Sequence, residues 1–226
     1  AVEALADNTE PLQDLSVCVP FRPGVQTRLG VDLGGVLLPK VGGRELRRLT
    51  LNALRRTGFT SGAKEWLAAG MKALGPANVF IISYVSSPGM RRLLSRFLDS
   101  SCIFVDFNRP EGLPLENLIW TDERTGPRGK AAAFVSQRLT HFIDDQIDVL
   151  LDIREACFHH ADYMTVRPLL YLVPTVWDVR FKTSPSENSR RRCLNDIRRA
   201  NEGWVQEWHI QLADSVTAVH PSPSDV

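Results

Sequence analysis

Four short stretches of this sequence carry side chains that could handle a phosphoryl group together: Asp32 in "VDLGGVL", Ser83 in "VFIIS", Lys130 in "PRGKAAA" and Asp144–Asp145 in "HFIDD". Asp32 stands at the end of an apolar run, where a carboxylate is costly unless it is paired, solvated or bound to a cation. Two or three carboxylates brought together repel one another unless a hard cation sits between them, and oxygen ligands suit Mg²⁺. A carboxylate can attack phosphorus and form an aspartyl phosphate. The charge on the transferring group would be offset by Mg²⁺, a lysine, a hydroxyl and backbone N–H groups. Gly34 and Gly35, two and three residues after Asp32, let the backbone approach a ligand closely.

These residues can cooperate only if the fold gathers them. Short apolar runs occur at "LGVDL" (29–33), "VFIIS" (79–83), "CIFVDF" (102–107), "NLIWT" (117–121), "HFID" (141–144) and "LLYLV" (169–173), most of them bounded by Gly, Pro or Asn. Segments with helical spacing alternate with them. In "GAKEWLAAGMKALG" Trp66, Leu67, Met71 and Leu74 share a face. "PGMRRLLSRFLD" opens on a proline and offers Leu93, Leu94 and Phe97 for burial, while "GKAAAFVSQRL" and "QIDVLLDIREACF" read alike. Strands alternating with helices predict an α/β domain with a mainly parallel central sheet. In such a sheet ligands bind beyond the carboxyl ends of the strands. Asp32, Ser83, Lys130 and the Asp144–Asp145 pair all fall at strand ends or helix starts, so they converge on one rim.

The order of the four stretches resembles the haloacid dehalogenase (HAD) superfamily. Bacterial receiver domains use similar residues with the acidic pair early and the lysine last; here the order is Asp, Ser, Lys, Asp–Asp. "VDLGGVL" is similar to that family's first motif, Ser83 to the second, Lys130 to the third and Asp144–Asp145 to the fourth, over about residues 29–175. The resemblance implies a Rossmann-like three-layer sandwich with sheet order 5-4-1-2-3 and a Mg²⁺-dependent phosphohydrolase. Asp32 would be the nucleophile and a metal ligand, joined by the backbone oxygen of Gly34 and by Asp144 and Asp145. Ser83 and Lys130, with the Gly34–Gly35 backbone, would hold the phosphoryl oxygens.

The sequence departs from the family at two places. Gly34 stands where relatives usually carry a second Asp that protonates the leaving group, and Tyr84 where many carry Asn. The stretch between Asp32 and Ser83 is too short for the large helical cap of many relatives. An open site follows, suited to a bulky or macromolecular phosphorylated substrate. A second reading is a catalytically silent protein of the same fold, serving as a binding or scaffold subunit.

Composition bounds the rest. At 43% hydrophobic and 23% charged, 226 residues can form one core domain with extensions. A net charge of +1 gives no reason to expect nucleic acid, and no apolar run is long enough to span a bilayer. Cys18, Cys102, Cys157 and Cys193 form no CxxC pair, so an intracellular, reducing compartment is expected. We divide the chain into an N-terminal extension (1–28), the core (29–181), and a C-terminal amphipathic helix with a mobile tail (182–226). That helix, with Trp204 and Trp208, would dock on the core, a protein partner or a second copy. The His159–His160 pair beside Cys157 reads as a loop pair and Asp148 as a helix-surface charge.

Overall fold

The structure is a computed structural model that describes residues 26–40, 49–60, 62–105, 110–163 and 168–173. Nearly all of the expected N-terminal extension and the whole expected C-terminal helix lie outside the described residues.

Alternation of apolar runs and helical segments becomes a strand–helix succession. In chain order the elements are β1 (Leu29–Val31), α1 (Leu51–Thr57), α2 (Ala63–Leu74), β2 (Val79–Tyr84), α3 (Pro88–Ser100), β3 (Leu118–Thr121), α4 (Lys130–Ser136), β4 (His141–Asp144), α5 (Ile147–Phe158) and β5 (Leu169–Leu172). The five strands form one sheet in the order β5-β4-β1-β2-β3, with every neighbouring pair parallel. This is the Rossmann-like α/β class, with β1 at the centre.

Strand side chains alternate between the two faces. Val79 and Ile81 of β2 join Leu29 and Val31 of β1 in a core completed by Leu54, Leu67, Met71, Leu94, Phe97 and Leu98 of α1, α2 and α3. Phe80 and Ile82 face the other way, into a core with Phe142, Leu170, Leu172, Phe134 of α4 and Leu150 and Ile153 of α5. Helices on both faces cover the apolar strands, the arrangement a parallel sheet requires. Gly30 of β1 belongs to the second face: a Cβ there would come within 2.5 Å of the Phe142 ring.

Local chemistry starts and stops the helices near the site. The Thr50 hydroxyl caps α1 by accepting from the Ala53 N–H, and Gly58 follows its last residue with φ +67°. The Ser87 hydroxyl accepts from the Met90 N–H at the start of α3, where Pro88 takes the first helical position.

One expected strand is absent among the described residues. After α3, Cys102 takes a left-handed conformation (φ +62°) that turns the chain. The Ile103 N–H donates back to Leu98 O at 3.4 Å, while Leu113 N–H donates to Ile103 O and Val105 N–H to Leu113 O, closing a loop. Ile103 and Phe104 are buried under this loop, which accounts for the apolar composition without a sheet strand. Cys102 and Cys157 are free thiols, and Cys18 and Cys193 lie outside the described residues.

Candidate active site

β1 ends at Val31, so Asp32 is the first residue beyond the central strand, and its N–H still reaches Ile143 O of β4 at 2.9 Å. Register brings the rest to the same rim. Val31 is level with Ile81 and with Ile143, so Ser83 and Asp144 lie just beyond the corresponding points of β2 and β4. Lys130 opens α4, reached from β3 by the loop that contains Gly126 and Gly129.

Lys130 is the electrostatic centre. It is 1% exposed, and its Nζ lies 2.8 Å from Asp32 Oδ2 and 2.7 Å from Asp144 Oδ2. An ammonium has three donors, so one remains for a ligand. Asp32 Oδ1 accepts the Leu33 N–H at 2.7 Å, and Asp144 Oδ1 accepts the Gln146 N–H at 2.8 Å. Asp144 thus has both oxygens engaged and serves as the counter-ion that holds Lys130.

Asp145 is different. Lys40 Nζ pairs with its Oδ2, while its buried Oδ1 has no hydrogen-bond partner among the described residues. Gly35 explains how the carboxylate fits. Its φ is +93°, and a Cβ there would stand 2.5 Å from Asp145 Cγ. The Gly35 N–H donates to Leu38 O at 2.7 Å, so this glycine's visible role is to seat Asp145. At Gly34 a Cβ would meet nothing within 4 Å. Gly35→Ala is therefore expected to destabilise the protein by about 1–3 kcal/mol, whereas Gly34→Ala should stay within about 1 kcal/mol of the unsubstituted protein. Denaturant midpoints of the two variants check this contrast.

Charge in the site does not balance. Asp32, Asp144 and Asp145 face the two ammonium groups of Lys130 and Lys40. Burial lowers the proton affinity of Lys130, but Asp32 and Asp144 together outweigh it and raise it. Burial pushes the Asp144 carboxyl up, Lys130 pulling the other way and Asp32 and Asp145 adding to the rise. Asp145 is also raised, by burial first, against Lys40. The three acids can present ligand oxygens within 4.8 Å of one another. All-oxygen donors, excess negative charge and an unpartnered buried oxygen fit a hard divalent cation.

The rim opens into a cleft of about 670 Å³ lined by Asp32, Gly34, Lys40, Ser83 and Lys130, with Leu54 and Met90 among its apolar lining. Ser83 is 5% exposed, Tyr84 is exposed, and Ser86 and Ser87 also line the cleft. Arg91 fixes that wall: its Nε donates to Val85 O at 2.6 Å and its Nη2 to Thr121 O at 2.8 Å, tying together the exits of β2 and β3. The pairs His159–Glu155 and His160–Asp162 lie at the C-terminal end of α5, the end opposite the one that follows Asp145, and Asp148 is exposed.

The residues read from the sequence, Asp32, Ser83, Lys130, Asp144 and Asp145, are therefore brought to one rim, with Gly34 and Gly35 beside them. Two others escaped that reading. Lys40 pairs across 105 residues, and Arg124 Nη1 donates to Gln146 Oε1 at 2.6 Å at the cleft edge. Scarcity was the one available signal for Lys40, among only five lysines.

No family model matches this sequence, and no curated protein matches it. Among solved structures, the HAD domain of effector protein Lem4 from Legionella pneumophila is similar with a TM-score of 0.39 and 12% identity, over 73% of this chain and 97% of that one. Among the described residues, no helix is long and apolar enough to cross a membrane.

Proposed function

We propose that this protein is a HAD-like hydrolase, a Mg²⁺-dependent phosphatase that acts through an aspartyl phosphate on Asp32. The observation that supports this most is the Asp32–Lys130–Asp144 contact beside Asp145, whose buried Oδ1 has no partner. Asp32, Asp145 and the backbone oxygen of Gly34 would hold the ion, with Asp144 beside them. When bound, Mg²⁺ supplies charge neutralisation for the phosphoryl oxygens.

This chain's own residues perform the rest. Lys130 pairs with Asp32 and orients it, and its third N–H is available to a phosphoryl oxygen, as is the Ser83 hydroxyl. A carboxylate oxygen of Asp32 attacks phosphorus, the bond to the ester oxygen breaks, and the leaving alcohol takes its proton from water because Gly34 has none to give. Water then attacks phosphorus, which releases inorganic phosphate and restores the carboxylate. The helices α1 and α3 and the loop at Lys40 border a cleft that suits a bulky or macromolecular substrate without a large cap.

The test is turnover of p-nitrophenyl phosphate by the full chain, expected to appear with Mg²⁺ and stop with excess EDTA. Absence of turnover at every Mg²⁺ concentration would overturn the enzymatic reading. Gly34, which leaves the leaving-group side without an acid, favours a second reading: a silent protein of this fold that serves as a binding or scaffold subunit.

A further inference from the structure

Lys40 has no part in the chemistry above, yet its ammonium group pairs with a carboxylate assigned to the cation. Asp145 is fully buried at its side chain, whereas the Lys40 side chain is 49% exposed. The pair therefore joins the floor of the site to the wall of the cleft. Lys40 lines that cleft with Asp32, Gly34 and Ser83. Its backbone follows Leu38 and Pro39, which are buried, so the loop is anchored while a flexible four-carbon stem carries the charge.

We propose that Lys40 is a substrate anchor released by the metal: it neutralises Asp145 until a divalent cation takes that carboxylate, and then turns into the cleft to bind the phosphate group. This rests on the hydrolase reading. The argument is electrostatic. A doubly charged ion on Asp145 and an ammonium on the same carboxylate repel each other strongly at such short range. The ion can hold several oxygens at once and has few alternatives, whereas Lys40 has water and the cleft on its exposed side. Once free, it lies on the wall shared with Asp32 and Ser83, where its ammonium can meet an incoming phosphate dianion. Metal would therefore bind before substrate. An ammonium that only neutralised Asp145 would stay in place when the ion arrives.

The experiment uses the full chain and two readouts that need no turnover. The first is acetylation of individual lysines, followed by mass spectrometry, without metal and with saturating Mg²⁺. The exposed Lys64 and Lys72 of α2 serve as internal references. Labelling of Lys40 should rise with Mg²⁺ by roughly threefold or more, the scale on which a half-exposed ion pair withholds an ammonium, and fall again when inorganic phosphate is added. The second is calorimetry of Lys40→Met. Loss of the competing charge should tighten Mg²⁺ about tenfold, while phosphate binding to the Mg²⁺-saturated protein should weaken about tenfold. Opposite signs are the signature, since a merely structural lysine would weaken both. Unchanged Lys40 labelling on Mg²⁺ saturation, or affinities that move together, overturns the proposal. If the unsubstituted protein takes up Mg²⁺ and turns over ester while Lys40 stays paired, only this proposal falls. If it takes up no Mg²⁺ at all, the hydrolase reading falls with it.

Discussion

Replacing Asp32 with Asn lowers Mg²⁺-dependent turnover of p-nitrophenyl phosphate by on the order of 10⁴-fold or more, the scale on which a nucleophilic unit fails when one member is removed. The amide keeps nearly the same shape but cannot form the acyl phosphate. The fold should survive, because Lys130 retains Asp144 at 2.7 Å and the second core does not involve residue 32. Two measurements separate chemistry from folding. Far-ultraviolet dichroism of Asp32→Asn should match that of the unsubstituted protein. Hydroxylamine trapping during turnover should yield a modified Asp32 peptide from the unsubstituted protein and none from the variant. Turnover that persists in a well-folded Asp32→Asn protein would remove the acid from its assigned role and point to direct attack by water.

The second large effect is on stability. Lys130 is among the largest fully buried side chains, and its ammonium bridges two buried carboxylates. Lys130→Met keeps much of the volume and removes the charge, so Asp32 and Asp144 face each other uncompensated. Breaking a buried ion pair from one side typically costs about 3–5 kcal/mol, and a loss of that size is expected in the denaturant midpoint at neutral pH. Adding Asp144→Asn to Lys130→Met should recover part of it, because one of the stranded charges is then gone. A loss below about 1 kcal/mol would place the three charges in the regime of solvated surface pairs and contradict the burial on which the site depends.

Much of the rim was legible before any coordinates. A parallel sheet sends every strand's carboxyl end the same way, so Asp32, Ser83 and Asp144, each at the end of an apolar run, had to emerge together. Lys130 was legible for a related reason: a lysine at the start of a helix is unfavourable to the helix dipole, and two carboxylates offset that. The loop-bound features were not legible. Lys40 reaches Asp145 only because the turn from Leu33 to Leu38 folds back on itself, with Gly35 N–H to Leu38 O and Leu38 N–H to Leu33 O. No periodicity encodes that path. "CIFVDF" had the composition of a strand, and what decided against it was the turn at Cys102, a left-handed backbone that a non-glycine residue rarely adopts. The seating of Asp145 against Gly35, so close that a Cβ would stand 2.5 Å from its Cγ, is visible only in three dimensions.

The central position of β1 has a consequence for biosynthesis. One neighbour, β2, follows within the next few dozen residues, but the other, β4, is far along the chain: Arg28 and Thr140, which bond to each other at that junction, are 112 residues apart. A nascent polypeptide emerging from the ribosome can lay β1 beside β2 and then β3 while the other edge of β1 stays unpaired. Open apolar edges invite pairing with other chains, so truncated products ending before His141 should be the species most in need of chaperones. They would also lack Asp144 and Asp145, so synthesis must run well past the middle of the chain before any of this chemistry can exist.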